Sequence, residues 1–245
     1  SRRKELNQKI ALITRDIQLA YANSRRSPQS LTVKPGDNVS GNNFPPNNWV
    51  LTYDDGPSAS RTPLMLEYLV SEGVKANFFE LANLLESEPT KFTSLAVQAA
   101  GMEMANHSFS HAYLPKLGPK GLDKEILTST EIEASLWKRA PSFFRCPYGA
   151  GFGRLEIKKR LIAKNLVHIF WNVDTLDWQD QNPKSIFERA KKQMLVAGRG
   201  IVLFHDIHPQ TLEATKLLVA YNKQLPEAER AIWKTLGQVL EAHSP

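Results

Sequence analysis

From Trp49 onward the chain alternates two kinds of segment, and that alternation limits its fold more than any other feature. Short apolar runs occur at 49–53, 76–79, 102–105, 142–146, 167–173 and 201–204. Between them lie amphipathic stretches of helical length, at about 61–72, 84–100, 122–139, 153–164, 183–197 and 209–222. Strands that alternate with helices must be joined by crossovers. The pattern therefore predicts an α/β fold with a parallel sheet covered by helices, open or closed into a barrel. A further short strand is expected at 231–234, and Thr235 with Gln238 fits a capping box for a last helix to about Ala242. With 245 residues the chain is long enough for such a domain to hold a large core.

The first 48 residues read differently. Leu6, Ile10, Ile13, Ile17 and Ala20 recur at spacings of four and three, which predicts an amphipathic helix within residues 4–23. From Ser24 to Asn48 the composition turns to Ser, Pro, Gly and Asn, a linker or extended strap rather than a packed element. The expected division is a helix and strap over 1–48 and a single α/β catalytic domain over 49–245. Charge follows the same line. Residues 1–50 carry eight Lys/Arg against three Asp/Glu, so +5 of the formal +6 lies there. A basic segment attracts anionic polymers or surfaces, but this one lacks interleaved aromatics, and no nucleic-acid partner is expected. No apolar run approaches the roughly 18 residues of a membrane span. The single cysteine, Cys146, excludes an intrachain disulfide.

Polar residues gather where these strands end, the edge on which parallel α/β folds assemble their sites. Leu51-Thr52-Tyr53-Asp54-Asp55-Gly56-Pro57 closes the first strand with adjacent carboxylates. Neighbours on a strand point to opposite faces, so one carboxylate is free to hold a metal while the other acts as a base. Taken alone, the same stretch is also a good polar turn. His107 and His111, four apart, can share a metal if they lie on a helical turn, although such pairs are often incidental. Arg145, just before a Pro-containing turn, suits a clamp on a carboxylate or a surface ion pair. Asp174 to Trp178 joins carboxylates to a large ring, or caps a helix. His205-Asp206, with His208 nearby, offers an acid–base group or a core histidine.

The order Thr52 to Pro57, His107 to His111, Arg145 to Gly149, Asp177-Trp178 and Leu203 to His205 resembles the five motifs of the NodB-homology polysaccharide deacetylases, carbohydrate esterase family 4. The resemblance covers about 49–242. It implies a distorted, incomplete (β/α)7-type barrel, here with an extra N-terminal amphipathic helix. It implies a divalent metal, Zn²⁺ first and Co²⁺ or another divalent ion as alternatives, and hydrolysis of N-acetyl or sometimes O-acetyl groups on a polysaccharide. By the same resemblance Asp55, His107 and His111 are the metal ligands, Asp54 the base and His205 the acid. Arg145 holds Asp54, Asp177 tunes His205, the Tyr148 N–H helps bind the oxyanion, and Trp178 and Leu203 wall the acetyl pocket.

The expected substrate is N-acetylglucosamine in peptidoglycan. Chitin oligomers, a related hydrolase of cyclic amides and a non-catalytic wall-binding module are the alternatives. An exported monomer is expected. Tyr53, Cys146 and Met102 stand where the family more often has Phe, Pro and His, and the Tyr53 hydroxyl needs a partner if buried. The loop Ala112–Gly121 is expected to wall the groove.

Overall fold

The structure is a computed structural model and describes residues 31–242. The amphipathic stripe predicted within 4–23 lies outside the described residues. In chain order the elements are β1 (Leu31–Val33), β2 (Asn38–Val39), β3 (Asn48–Gly56), α1 (Thr62–Ser71), β4 (Ala76–Glu80), α2 (Glu88–Ala99), β5 (Glu103–Asn106), α3 (Ser129–Trp137), β6 (Phe143–Phe144), α4 (Leu155–Ala163), β7 (Val167–Ile169), β8 (Val173–Asp174), α5 (Pro183–Ala197), β9 (Gly200–His205), α6 (Pro209–Gln224), β10 (Ile232–Trp233), α7 (Leu236–Val239) and β11 (Leu240–Ala242). The predicted strand–helix alternation is present throughout. Helix starts are written into the sequence by proline in the first turn of α1, α2, α5 and α6. Asn182 caps α5 by accepting the Lys184 and Ser185 N–H groups at 3.0 and 3.3 Å.

The main sheet runs β2-β7-β6-β5-β4-β3-β9-β8, with β10 also pairing the start of β3, and its ladders are parallel. Its edges β2 and β8 do not pair with each other, so the sheet forms a half-barrel with surrounding helices. Strand alternation sorts the core into layers. Leu51, Tyr53, Phe78 and Phe204 pack outward against Met65, Leu69, Ile186 and Leu218 of the helices. Val50, Phe79, Ile169 and Ile201 face inward and meet Phe44, Leu236 and Val239.

Two expectations need correction. The stretch 24–48 is not an unpacked strap over its described part. β1 pairs with β11, β2 pairs with β7, and Phe44 is fully buried in the inner layer. The last helix does have its capping box, but it ends at Val239 because the chain then joins β1 as β11.

Candidate active site

The inward face of β3 carries Val50, Thr52 and Asp54. Asp54 is therefore the last inward residue before the strand ends. Its register partner on β9 is His205, which sets the two side by side at the carboxyl edge of the sheet. Strict alternation would send Asp55 outward with Tyr53, as the sequence reading supposed. Instead the β3–β4 register slips between Asp54 and Gly56, and Asp55 adopts φ +71°. A bulge of this kind re-aims a side chain, and Asp55 lines the same cleft as Asp54.

His107 and His111 also meet without the helical turn expected of them. Ser108 and His111 have φ of +78° and +62°, and that loop geometry turns both rings to one side. Asn106 Oδ1 accepts the Ser108 N–H at 2.6 Å. Glu125 accepts the Phe109 and Ser110 N–H groups at 3.1 and 2.9 Å and the Ser110 hydroxyl at 2.6 Å. Glu125 lies on a π-helical turn, Asp123–Thr128, that runs into α3. Sequence reasoning missed this buried carboxylate, because a single Glu inside a helical pattern looks like a solvated face.

The Nε2 atoms of His107 and His111 each lie 3.3 Å from Asp55 Oδ1. The ligand atoms of the three residues fall within 4.8 Å of one another. The His107 Nδ1 lies 2.9 Å from the Arg145 carbonyl. A carbonyl can only accept, so the proton sits on Nδ1 and the Nε2 lone pair faces Asp55. Burial, with His107 alongside, pushes the His111 pKa below its ordinary value and favours the neutral ring. Asp55 Oδ1 is buried and receives no hydrogen bond. A buried carboxylate oxygen set against two imidazole nitrogens is a donor set that fits a divalent cation. One carboxylate and two imidazoles also leave an open coordination position.

Each of the remaining charged groups has a fixing partner. Arg145 is fully buried, which excludes the surface ion pair. Its Nη1 donates to Asp54 Oδ1 at 2.6 Å and to Thr52 Oγ1 at 2.9 Å, and Nε and Nη2 donate to the Ile169 and Phe170 carbonyls, each at 3.1 Å. The guanidinium also lies 4.1 Å from the Phe79 ring centroid. On the other side, His205 Nδ1 is 2.8 Å from Asp177 Oδ1, and the His205 N–H donates to Asp177 Oδ2 at 2.7 Å. The Thr211 hydroxyl donates to the same Asp177 oxygen at 2.6 Å. Burial alone would lower the His205 pKa. The hydrogen bond and charge of Asp177, aided by Asp54 and Asp55, outweigh it and raise His205 to about 9.

These groups border a cleft of about 440 Å³ lined by Asp54, Asp55, His107, His111, Cys146, Tyr148, Gly149, Trp171, Asp174, Trp178, Leu203 and His205. Arg145 and Asp177 stand behind it. Trp178 is 55% exposed at the rim, whereas Leu203 is buried. Tyr148 adopts φ +60°, and its N–H makes no hydrogen bond among the described residues. Gly149 is required by space as well as by its φ of +62°, since a Cβ there would sit 2.6 Å from Phe170 and 2.9 Å from Trp171. Trp171 was missed in the sequence because it sits inside an apolar run. Residues 112–121 do not line the cleft; Tyr113 reaches its rim through the Tyr148 ring, 6.0 Å between centroids. The Tyr53 hydroxyl finds its partner in Thr215 Oγ1 at 3.1 Å. Burial pushes the Cys146 thiol up to about 12, which disqualifies it as a nucleophile at neutral pH.

A family model for polysaccharide deacetylases matches residues 41–166. The chain belongs to that family. It is 30% identical over 193 residues to the peptidoglycan-N-acetylmuramic acid deacetylase PdaC of Bacillus subtilis, covering 78% of this chain and 37% of that one. It is 35% identical over 137 residues to a peptidoglycan-N-acetylglucosamine deacetylase of Bacillus cereus, covering 56% of this chain and 48% of that one. The chain thus spans less than half the length of these two curated relatives. Its fold matches the crystal structure of the Bc1960 peptidoglycan N-acetylglucosamine deacetylase with a TM-score of 0.75 at 25% identity, over 84% of this chain and 92% of that one.

Proposed function

We propose that this chain is a metal-dependent hydrolase that removes N-acetyl groups from N-acetylglucosamine residues of a polysaccharide, peptidoglycan in the first place, and that it works outside the cytoplasm as an exported enzyme. The observation that carries the reading is the pairing of Asp54 with His205 across β3 and β9, each held by a buried partner and both lining the cleft that holds the Asp55–His107–His111 cluster. The two relatives and the matched structure, all of them peptidoglycan deacetylases by name, support the substrate class.

Asp55, His107 and His111 would hold the divalent ion, Zn²⁺ in the first place, whose contribution is Lewis acidity toward the acetyl carbonyl and the attacking water. Asp54 is fastened through Oδ1 to Arg145, so Oδ2 is the oxygen available to take a proton from that water. As the water oxygen bonds to the acetyl carbon, the Tyr148 N–H, unpaired among the described residues, would donate to the oxyanion, a contact typically worth about 10²–10³ in rate. His205, protonated at neutral pH, gives its Nε2 proton to the amide nitrogen as the C–N bond breaks. Acetate and a free amino sugar leave. Trp178 and Leu203 supply the apolar walls for the acetyl methyl.

The test is mass spectrometry of peptidoglycan and of chitin oligomers after incubation with the Zn²⁺-loaded chain and with Asp54→Asn and His205→Ala. The expected result is loss of acetyl groups with the unaltered chain and none with either variant, while both variants still bind Zn²⁺. Substantial acetate release by either variant would overturn the roles assigned to these residues. Acetyl loss confined to chitin oligomers would move the substrate to the alternative class.

A further inference from the structure

We infer that Asp206, together with Thr62, is a positioning pair that holds the metal-site residue Asp55 in its left-handed backbone conformation, and so couples the metal cluster to the strand that carries His205. Left-handed backbone at φ +71° is uncommon outside glycine, and it persists where the surroundings hold it in place. The clamp lies directly behind the bulge. Asp206 follows His205 at the end of β9 and is buried. Its Oδ2 accepts a hydrogen bond from the Thr62 hydroxyl. The Thr62 hydroxyl in turn accepts the Ser58 N–H at 2.8 Å, and the Thr62 N–H donates to the Ser58 carbonyl at 3.2 Å. The two Ser58–Thr62 bonds close the turn 58–62 and leave the hydroxyl proton free to donate to Asp206.

The other carboxylate oxygen fixes the turn sterically. Asp206 Oδ1 is buried and has no hydrogen-bond partner, and a Cβ placed on Gly56 would stand 2.8 Å from it. The Asp206 carboxyl is thus pressed against Gly56, the residue next to Asp55. The Gly56 carbonyl also accepts the Leu81 N–H at 2.8 Å. Gly56 is held between β4 and Asp206, and Asp55 has little freedom to relax. None of these atoms lines the cleft, so the pair acts only through Asp55 and His205.

This inference rests on the reading of Asp55 as a metal ligand, and its test separates the two. Zn²⁺ affinity is measured by calorimetry on metal-stripped full chain for the unaltered protein, Thr62→Val, Thr62→Ser and Asp206→Asn, alongside melting temperature and the kcat and KM of acetate release. Thr62→Val keeps the side-chain shape and removes the hydroxyl; Thr62→Ser keeps the hydroxyl. The expected result is that Thr62→Val and Asp206→Asn weaken Zn²⁺ binding by about tenfold, the low end for outer partners of metal ligands, and lower kcat without raising KM. Thr62→Ser restores both. A folded Thr62→Val chain that binds Zn²⁺ and turns over like the unaltered protein, whatever its melting temperature, would overturn the inference. An unaltered chain that binds no Zn²⁺ would overturn the ligand reading itself.

Discussion

His205 sets the pH range of the proposed chemistry. Its pKa is raised to about 9, so the proton donor is charged below that pH and lost above it. The sign for stability is the same. The pairing with Asp177 contributes stability that is fully present below the ordinary histidine value of 6.5 and disappears as pH rises through about 9. Asp177→Asn is expected to move the alkaline limb of the pH–rate profile from about 9 toward or below the ordinary histidine value, and to cost about 10²–10⁴ in turnover at neutral pH. An alkaline limb that stays in place would contradict the assignment of His205 as the acid. At this scale the residue types were legible in the sequence, since carboxylates, histidines and an arginine follow successive strands. Their geometry was not. The bulge at Asp55 and the positive φ at Ser108 and His111 are backbone departures that leave no periodic signal, so alternation misplaced Asp55 and helical spacing was the wrong reason for pairing the histidines.

Among the elements, β3 carries the most consequence. It pairs with β4, β9 and β10, has helices against its outward residues, and ends in the two carboxylates. Its length and burial were readable from the apolar run that precedes Asp54. The stretch before it was not, because Phe44 is one aromatic among Pro, Gly and Asn, and β1 and β2 are only three and two residues long. Yet Phe44 fills the inner layer together with Val50, Phe79 and Ile201. Phe44→Ala is expected to destabilise the described domain by about 3–5 kcal/mol, read from urea unfolding. A loss under about 1 kcal/mol would mean that residues 31–48 are a strap after all. The π-helical turn ahead of α3 was likewise invisible in a pattern that read as one helix over 122–139, although it presents Glu125 to the histidine loop.

For the whole molecule, the half-barrel gathers residues as far apart as Asp54 and His205 at one carboxyl edge, which is why motifs that are weak one by one become a site. The basic excess lies in residues 1–50 of the sequence, and none of the cleft-lining residues is Lys or Arg. Among the described residues no helix is long and apolar enough to cross a membrane. The fold class and the polar residues gathered at the cleft were legible because each strand end contributes a recognisable polar signature in order. The support behind them, Glu125 and the Asp206–Thr62 pair, depends on tertiary packing and has no local signature. The claim that binds these levels together is that the Asp55–His107–His111 cluster holds an ion on which deacetylation depends. It is tested most directly by measuring acetate release from an N-acetylglucosamine oligomer after exhaustive chelation, then during back-titration with Zn²⁺. The expected result is no release from the stripped chain and recovery that saturates at about one ion per chain, as a single open catalytic site requires; undiminished acetate release from the exhaustively stripped chain would contradict it.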